Sequence, residues 1–270
     1  MSNTAGNDAF LFIADMHSLT QIKNGDTLRE NTYSTAATWL ACGLDINKTV
    51  FYRQSDVPEV TELTWYLSCF FPYQRLTLAH SFKDKADRLE DVNGGLFTYP
   101  MLMAADILLY DANIIPVGKD QLQHIEMTRD VASRVHAKIG EVFVIPEAKI
   151  QKENMLIPGL DGQKMSKSKG NTIPLFGTDA EIEKAVMGIV TDSGGDRPEH
   201  VYAIHRLLKS AEELDPIYKE NKGRYGDLKK ILVADLQAFI APMRERRDTI
   251  TDEQVRAVLA DGAKRAKAVS

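Results

Sequence analysis

The sequence has few cysteines and no long hydrophobic run. Cys42 and Cys69 are the two cysteines among 270 residues, and they lie far apart with no CxxC spacing. This pattern argues against a disulfide framework or a zinc site and favours a protein in a reducing compartment. No apolar run approaches the roughly 20 residues of a transmembrane helix, and the opening MSNTAGND does not resemble a signal peptide. We therefore expect a cytoplasmic protein without a membrane association.

A strong positive charge and internal repeats are also absent. The formal net charge is −5, so the bulk charge does not indicate a nucleic-acid-binding protein, and any such contact would need a local basic surface. The hydrophobic content of 44% is ample for a sizeable core. We expect one large domain or two.

The chain is organised around a central stretch, FTYPMLMAADILLYDANIIPVGKDQLQH, which runs from Phe97 to His124. Its first part predicts a helix over Pro100–Tyr110, with the proline in the first turn. An apolar run of strand length follows at Asn113–Val117, and Gly118 turns the chain into a second helix that starts near Gln121. Helix, strand, turn and helix in this order are typical of an α/β protein.

Asp106 is the polar exception in the first of these helices, which is otherwise apolar nearly all round and is therefore predicted to be buried. Helical spacing puts Tyr99, Met103, Asp106 and Tyr110 on one face. A buried carboxylate is costly unless a donor satisfies it. Two interpretations stay open, a structural carboxylate bonded to a neighbour and a carboxylate that accepts from a ligand.

Polar residues follow two of the predicted strands. Ala9–Ala14, AFLFIA, is a short apolar run that predicts a buried parallel strand, and Asp15 and His17 come directly after it. Gly118–Gln121, GKDQ, follows the strand of the central stretch. In doubly wound folds ligands bind at the carboxyl ends of the strands, so these residues are candidates for a binding site.

A loop rich in lysine and serine is the strongest motif. KMSKS, Lys164–Ser168, follows the glycine-bearing IPGLDGQ of Ile157–Gln163. Lysines in such a loop can neutralise charge on a leaving pyrophosphate, and serines and backbone N–H groups can position its oxygens. The alternative for a generic loop of this composition is solvated surface.

KMSKS is also the signature loop of class I aminoacyl-tRNA synthetases. YPMLMAADILLY followed by IIPVGKDQLQHIEMTRD resembles the bacterial tryptophanyl-tRNA synthetase family, and the resemblance runs from about Asn7 to the end of the sequence. It implies an α/β fold with a Rossmann-like doubly wound parallel sheet followed by a small all-helical domain. We expect residues 1–176 to form the catalytic domain and residues 177–270 the helical domain, which in the family binds the tRNA anticodon.

The resemblance also implies an activity, the ATP-dependent activation of L-tryptophan and its transfer to tRNA. Mg²⁺ would be carried on the ATP phosphates. Lys164 and Lys167 would be the catalytic residues, acting on the leaving pyrophosphate. The implied tryptophan-binding residues are Ala14, His17, Tyr99, Met103, Asp106, Ile107, Ile115, Val117 and Gln121. The implied ATP-binding residues are Gly118, Lys119, Asp120, Ile157, Lys164, Met165, Ser166, Lys167 and Ser168.

The family resemblance further implies a homodimer, for which the aromatic helix around Trp65 is a candidate contact. Beyond residue 177 the sequence predicts helices, beginning with a capping-box pattern of Thr178 and Glu181. This part carries candidate tRNA-binding side chains, although an ordinary charged helical surface explains most of them. These are Arg244, Arg246, Arg247, Arg256, Lys264, Arg265 and Lys267.

One family motif has no match here. In the family a segment of the form GxxPTGxxHxGN, the HIGH-type sequence, precedes the strand seen at Ala9, and Met1–Asp8 does not contain it. Because that segment supplies donors to the ATP phosphates, we expect impaired adenylate formation by these 270 residues. The alternatives are a non-catalytic tryptophan- or tRNA-binding relic of the enzyme and a tyrosyl-tRNA synthetase. A generic nucleotide-binding module is a further and weaker one.

Overall fold

A computed structural model describes residues 6–79, 92–150, 157–191 and 197–270. The charged segment KDKADRLED, residues 83–91, was predicted to be a solvated helix or loop and lies outside the described residues. Contacts divide the chain into two compact units. Unit 1 comprises residues 1–40, 44–154 and 251–270, and unit 2 comprises residues 41–43 and 155–250.

The described part of unit 1 contains four strands, β1 Ala9–Ile13, β2 Thr49–Arg53, β3 Ile114–Val117 and β4 Glu147–Ile150. Its helices are α1 Asp15–Ser18, α2 Gly25–Ala41, α3 Glu59–Phe70, α4 Tyr73–Leu76, α5 Gly94–Leu108, α6 Leu122–Ile139 and, near the end of the sequence, α11 Asp252–Lys267. The described part of unit 2 is helical, with α7 Asp179–Met187, α8 Glu199–His205, α9 Ala211–Glu220 and α10 Tyr225–Thr249.

Both strand pairs of unit 1 are parallel. β1 pairs with β2 in the register Ala9 to Thr49, and β3 pairs with β4 in the register Ile114 to Glu147. Parallel partners require a crossover connection, and α2 supplies one between β1 and β2. Polar residues that directly follow β1 and β2 therefore lie at the same edge of the sheet. The predicted strands at Ala9–Ala14 and Asn113–Val117 are confirmed to within one residue.

Helix α5 is the buried centre of unit 1. Met101, Ala104 and Ala105 on this helix are fully buried, which confirms the predicted burial. Its predicted start at Pro100 is wrong, because the helix begins at Gly94. The side chain of Asn93 accepts from the backbone N–H of Leu96 at 3.1 Å and caps the helix just before Gly94, which leaves the proline inside it.

The short run Glu141–Ile145, which Pro146 ends, predicts a further strand. That prediction is wrong, since β4 begins after Pro146. The N–H of Phe143 donates to Nε2 of His136 at 3.1 Å, and the N–H of Val144 donates to the Asp111 carboxylate at 3.2 Å. These donors therefore serve side chains and not a strand ladder. Pairing starts with Glu147, whose N–H donates to the carbonyl of Asn113 at 2.8 Å.

Helix α11 packs closely on β2. A Cβ on Gly262 would lie 1.8 Å from the carbonyl oxygen of Phe51, so a residue without a side chain is needed at this crossing. Arg265 donates to the carbonyls of Ile46 at 2.7 Å and Thr49 at 3.4 Å. The compact units thus place α11 with the sheet, whereas the predicted catalytic and helical domains meet at residues 176 and 177. The predicted boundary between residues 176 and 177 separates a catalytic part from a tRNA-binding part and not two compact units, and it stays a proposal.

Unit 2 has its own core, which gathers side chains from α7, α8 and α10. Among its buried residues are Ile182, Val186, Val201, Ile204, Leu232 and Leu236. The predicted capping box at α7 is confirmed, because Thr178 and Glu181 bond reciprocally. Within the described ranges no helix of either unit is long and apolar enough to cross a membrane.

Candidate active site

The Asp106 carboxylate lies in unit 1, on α5, where only 2% of its side chain is exposed. His17, just past the end of β1, donates from Nε2 to Oδ2 of Asp106 at 2.9 Å. Gln54, immediately after β2, donates from Nε2 to Oδ1 at 2.9 Å and to Oδ2 at 2.8 Å. The structure therefore brings together two predicted site residues, His17 and Asp106, and adds a third side chain from the same sheet edge.

Gln54 was missed by the sequence analysis. It is completely buried and holds both carboxylate oxygens of Asp106. The signal that could have found it is its position, since a polar side chain directly after a parallel strand belongs to the ligand-binding edge. The sequence TVFYRQ, Thr49–Gln54, predicts a strand, and Gln54 is its last residue.

Burial raises the pKa of the Asp106 carboxyl. The hydrogen bond and the charge of His17, and then the hydrogen bond from Gln54, oppose this rise. An apolar surrounding with a few donors is an environment in which a carboxylate discriminates strongly between ligands that do and do not offer an N–H.

Tyr99 extends the polar group around His17. Its hydroxyl bonds to Nε2 of His124, a buried histidine on α6. The rings of Tyr99 and His17 meet edge to face with 6.0 Å between their centroids. Side chains from α1, α5 and α6 therefore form one continuous polar cluster with Asp106. His124 is a second residue that the sequence analysis did not assign, although it ends the central stretch.

The predicted apolar lining is distributed over two elements. Met103 and Ile107 lie on α5 beside Asp106, and Ile115 and Val117 lie on β3. Ile107 is buried, and the other three are partly buried. Ala14 is the N-cap residue of α1 and follows β1 directly.

The GKDQ sequence also lies where it was predicted. Gly118 follows β3 and is the N-cap of a 3₁₀ turn over Lys119–Gln121, which continues into α6. Asp120 is exposed, and its Oδ2 accepts from Nε2 of Gln121 at 2.9 Å. Both side chains are thus available at the carboxyl end of the strand.

The KMSKS loop belongs to unit 2. Lys164 pairs with Pro158 in an isolated antiparallel bridge, and the N–H of Met165 donates to the carbonyl of Ile157 at 2.9 Å. Ser166 and Ser168 bond to each other through their hydroxyls at 2.8 Å. Within the described ranges neither lysine of the motif has a carboxylate partner. Both ammonium groups are exposed, which suits them to an incoming polyphosphate.

Asn171 holds this loop in shape and was not singled out from the sequence. Its buried side chain accepts from the N–H of Ser166 at 2.8 Å and donates to Asp161 at 2.7 Å and to the carbonyl of Lys164 at 3.2 Å. A Cβ on Gly159 would lie 2.3 Å from Nδ2 of Asn171, so the glycine makes room for this side chain. The motif is therefore presented by a preformed turn.

Comparisons with known proteins identify the family of this chain. Residues 1–229 match the family described as tRNA synthetases class I (W and Y), and the chain belongs to this family. A tryptophan–tRNA ligase of Rhodopirellula baltica is 44% identical, with 98% of this chain and 86% of that protein covered. A tryptophan–tRNA ligase of Fusobacterium nucleatum is 42% identical, with 97% and 84% covered.

A comparison with solved structures gives the same family relationship. A crystal structure of tryptophanyl-tRNA synthetase from Campylobacter jejuni, in complex with ADP and tryptophan, superposes with a TM-score of 0.90 at 37% identity. The superposition covers 97% of this chain and 86% of the Campylobacter jejuni chain. The predicted family, its Rossmann-like α/β fold and the class of aminoacyl-tRNA synthetase are therefore confirmed.

Proposed function

We propose that this protein is the ligase that joins L-tryptophan to its tRNA, by way of tryptophanyl-adenylate. The observation that carries the proposal is Asp106, a buried carboxylate held by His17 and Gln54 on an otherwise apolar helix. The 42–44% identity to tryptophan–tRNA ligases over nearly the whole chain supports the same substrate.

Asp106 would accept the indole N–H of tryptophan, while Met103, Ile107, Ile115 and Val117 would contact the ring, near Ala14 and His17. Tyr99 and Gln121 would hold the α-ammonium group. A site built around one buried acceptor rejects phenylalanine, which has no N–H to offer, more strongly than a purely apolar site can.

ATP would be held at its adenosine end by Gly118, Lys119, Asp120, Ile157 and Met165. Lys164 and Lys167 would stabilise the charge that develops on pyrophosphate as it leaves, and Ser166 and Ser168 would position its oxygens. Exposed ammonium and hydroxyl groups fit a polyphosphate chain. Among the described residues no cluster of three or more His, Cys, Asp or Glu side chains could hold a metal ion, and Mg²⁺ would reach the site as part of the MgATP substrate.

Little covalent chemistry falls to the protein in this reaction. The carboxylate oxygen of tryptophan attacks the α-phosphorus of ATP, the bond to the bridging oxygen breaks, and pyrophosphate leaves with the electron pair. The protein places the two reactants in line and supplies positive charge where negative charge develops. The tRNA 3′ end then takes the aminoacyl group and releases AMP.

The candidate tRNA-binding side chains differ in the partners that they already have within the protein. Arg244 bonds to Gly177 and Asp179, Arg246 to the carbonyl of Ala41, and Arg265 to the carbonyls before β2, so these three have structural partners. Arg256, Lys264 and Lys267 instead line a cavity of about 590 Å³ on unit 1, beside Tyr33. We propose that these three side chains contact tRNA phosphates, a sequence-independent contribution that salt weakens.

A homodimer in the cytoplasm completes the proposal. On α3 the side chain of Trp65 is 70% exposed, and Tyr66 and Tyr73 nearby in the chain are also exposed. Exposed aromatic side chains are enriched at subunit contacts. Light scattering at micromolar concentration should give twice the chain mass, and Trp65→Ser should shift the protein towards the monomer.

ATP–pyrophosphate exchange tests the proposed reaction. L-tryptophan should stimulate exchange, while L-tyrosine and L-phenylalanine should not. Equal stimulation by L-tyrosine would instead support the tyrosyl alternative. Calorimetric binding of tryptophan without any exchange would support the non-catalytic relic. The expectation that these 270 residues by themselves form adenylate slowly stays a prediction.

A further inference from the structure

Gln54 is a buried polar side chain for which the proposed reaction gives no role. It lies immediately after β2, and its side chain is enclosed by the ends of the two strands and α5. A completely buried amide needs partners for both of its ends. The partners it has are both residues of the proposed tryptophan site.

The orientation of the Gln54 amide follows from its neighbours. Oε1 accepts from the backbone N–H of His17 at 3.4 Å, while Nε2 lies 2.9 and 2.8 Å from the two Asp106 oxygens. A flipped amide would turn an acceptor towards the carboxylate and a donor towards an N–H, which loses both interactions. The donor end of Gln54 therefore faces Asp106.

In this arrangement the Asp106 carboxylate can accept one more hydrogen bond. An ionised carboxylate offers about four acceptor positions. One nitrogen of Gln54 and one nitrogen of His17 are the donors that the described side chains supply to it. The carboxylate is thus clamped from one side, with acceptor capacity left for a ligand N–H.

The side chain of Gln54 is uncharged, and this matters for its effect on Asp106. A lysine or arginine in the same place would neutralise the carboxylate and compete with a ligand for it. A carboxamide lowers the cost of burying the carboxylate through hydrogen bonds while leaving its negative charge intact. The ionisable groups of described residues whose charge interacts with Asp106 are His17, Tyr52 and Tyr110.

We propose that Gln54 is a positioning residue that sets the specificity of the amino-acid site, by holding the Asp106 carboxylate in the orientation that accepts an indole N–H. This inference rests on the proposed function, in which Asp106 is that acceptor. Gln54 acts through Asp106 and does not itself touch the substrate.

The test compares L-tryptophan with 3-benzothienyl-L-alanine, an analogue in which sulfur replaces the indole N–H. Binding of each is measured by calorimetry. The unmodified protein should prefer tryptophan strongly. In Gln54→Met, which keeps the length of the side chain and removes its donor, the preference should fall roughly tenfold, the scale of one hydrogen bond to a charged group. The affinity for the analogue should change by less than about twofold, because the apolar contacts remain.

Two further variants complete the experiment. Gln54→Leu also removes the donor without adding a charge beside Asp106, so it should lower the preference in the same way and serves if the methionine variant does not fold. Gln237→Met is the matched control, because the Gln237 amide donates to a backbone carbonyl of unit 2 at 3.1 Å. It should leave both affinities unchanged.

The outcomes separate the two proposals. Equal weakening of both ligands, or no change for either, in folded Gln54 variants would overturn the positioning role while leaving the proposed function in place. An unmodified protein that binds tryptophan and the analogue equally well would overturn the indole contact of Asp106, and the role of Gln54 with it.

Discussion

Each unit of the chain contains a histidine–aspartate pair, and the two pairs are buried in opposite ways. In unit 1, His17 and Asp106 are 2.9 Å apart, and the exposed fractions of their side chains are 21% and 2%. In unit 2, His205 and Asp235 are 2.7 Å apart, with 0% of the histidine and 21% of the aspartate exposed. The same two residue types therefore form one pair with a buried acceptor and one with a buried imidazole.

The partners of each pair explain what the difference means. Asp235 also accepts from Lys209, and Nδ1 of His205 lies 3.1 Å from the hydroxyl of Tyr218, so both ring nitrogens are occupied and α8, α9 and α10 are tied together. Burial raises the pKa of Asp106, whereas the pKa of Asp235 is lowered by its bonds to Lys209 and His205 despite partial burial. The unit 2 pair is a closed structural link, and the unit 1 pair retains acceptor capacity.

The largest effect should come from breaking the closed link. His205→Ala removes a buried ring, takes the histidine partner away from the Tyr218 hydroxyl and leaves Asp235 with Lys209 alone, which should cost roughly 2–4 kcal/mol of unfolding free energy in unit 2. Hydrogen-exchange mass spectrometry of peptides from α8 to α10 would measure it. Leu207→Ala, at an exposed neighbouring site, should cost less than about 0.5 kcal/mol. Equal protection in His205→Ala and the unmodified protein would contradict the assignment.

The substitution Asp106→Asn should affect tryptophan binding more than protein stability. Loss of a charge-assisted hydrogen bond predicts a tryptophan affinity that is lower by roughly 1.5–3 kcal/mol, or about 10- to 150-fold. Stability should change less than in His205→Ala, because asparagine keeps one acceptor and removes a buried charge. Calorimetry and urea unfolding would measure the two effects. Asp111→Asn, just beyond the end of α5, is the control and should bind tryptophan normally. Unchanged affinity in a folded Asp106→Asn protein would remove Asp106 from the site.

The stability of unit 2, measured over a series of pH values, should test the role of its histidine–aspartate pair further. Burial lowers the pKa of His205, so the unfolded chain takes up a proton first as the pH falls below about 6.5, and unit 2 loses stability until the folded-state pKa is passed. The pKa of Asp235 is also lowered, so its contribution is present above about pH 4 and is lost in more acidic solution. His205→Gln, which cannot titrate, should flatten the change between pH 7.5 and 5.5. The same slope in both proteins by hydrogen exchange would refute this account.

The smallest effect should come from Lys209→Met. About a third of the Lys209 side chain is exposed, so its ion pair with Asp235 is screened by water. Pairs of this kind contribute roughly 0.2–1 kcal/mol. Hydrogen exchange in unit 2 should report a loss in that range, and the loss should shrink in 1 M salt. A loss as large as that of His205→Ala would mean that the cation, and not the imidazole, holds the three helices together.

Sequence patterns identify only some of the residues of the candidate site. Helical spacing and strand ends were enough to select Asp106 and His17, because each position is special within its own element. The position of Gln54 after β2 is a signal of the same kind, but its hydrogen bond to Asp106 depends on which strand ends meet in three dimensions, and the sequence pattern does not give that. His205 and Asp235 carry no local signal at all, being ordinary polar residues on helices that predict no more than an amphipathic surface.

The fold shows the same limit. Short apolar runs identified β1 and β3, while Glu141–Ile145 satisfied the strand pattern but has its donors taken by His136 and Asp111. Gly262 carries no signal in the sequence, and only the backbone of Phe51 shows why a glycine is there. Close approach between distant segments leaves no periodicity for a sequence pattern to reveal.

That contact also determines when unit 1 can be completed during synthesis. Gly262 is made about 200 residues after Phe51, which at ~5–20 residues per second is a delay of roughly 10–40 seconds. All of unit 2 between residues 155 and 250 is produced in the interval. A growing chain therefore carries β2 without its covering helix for longer than most small domains need to fold, and during that time chaperones can bind the uncovered strand.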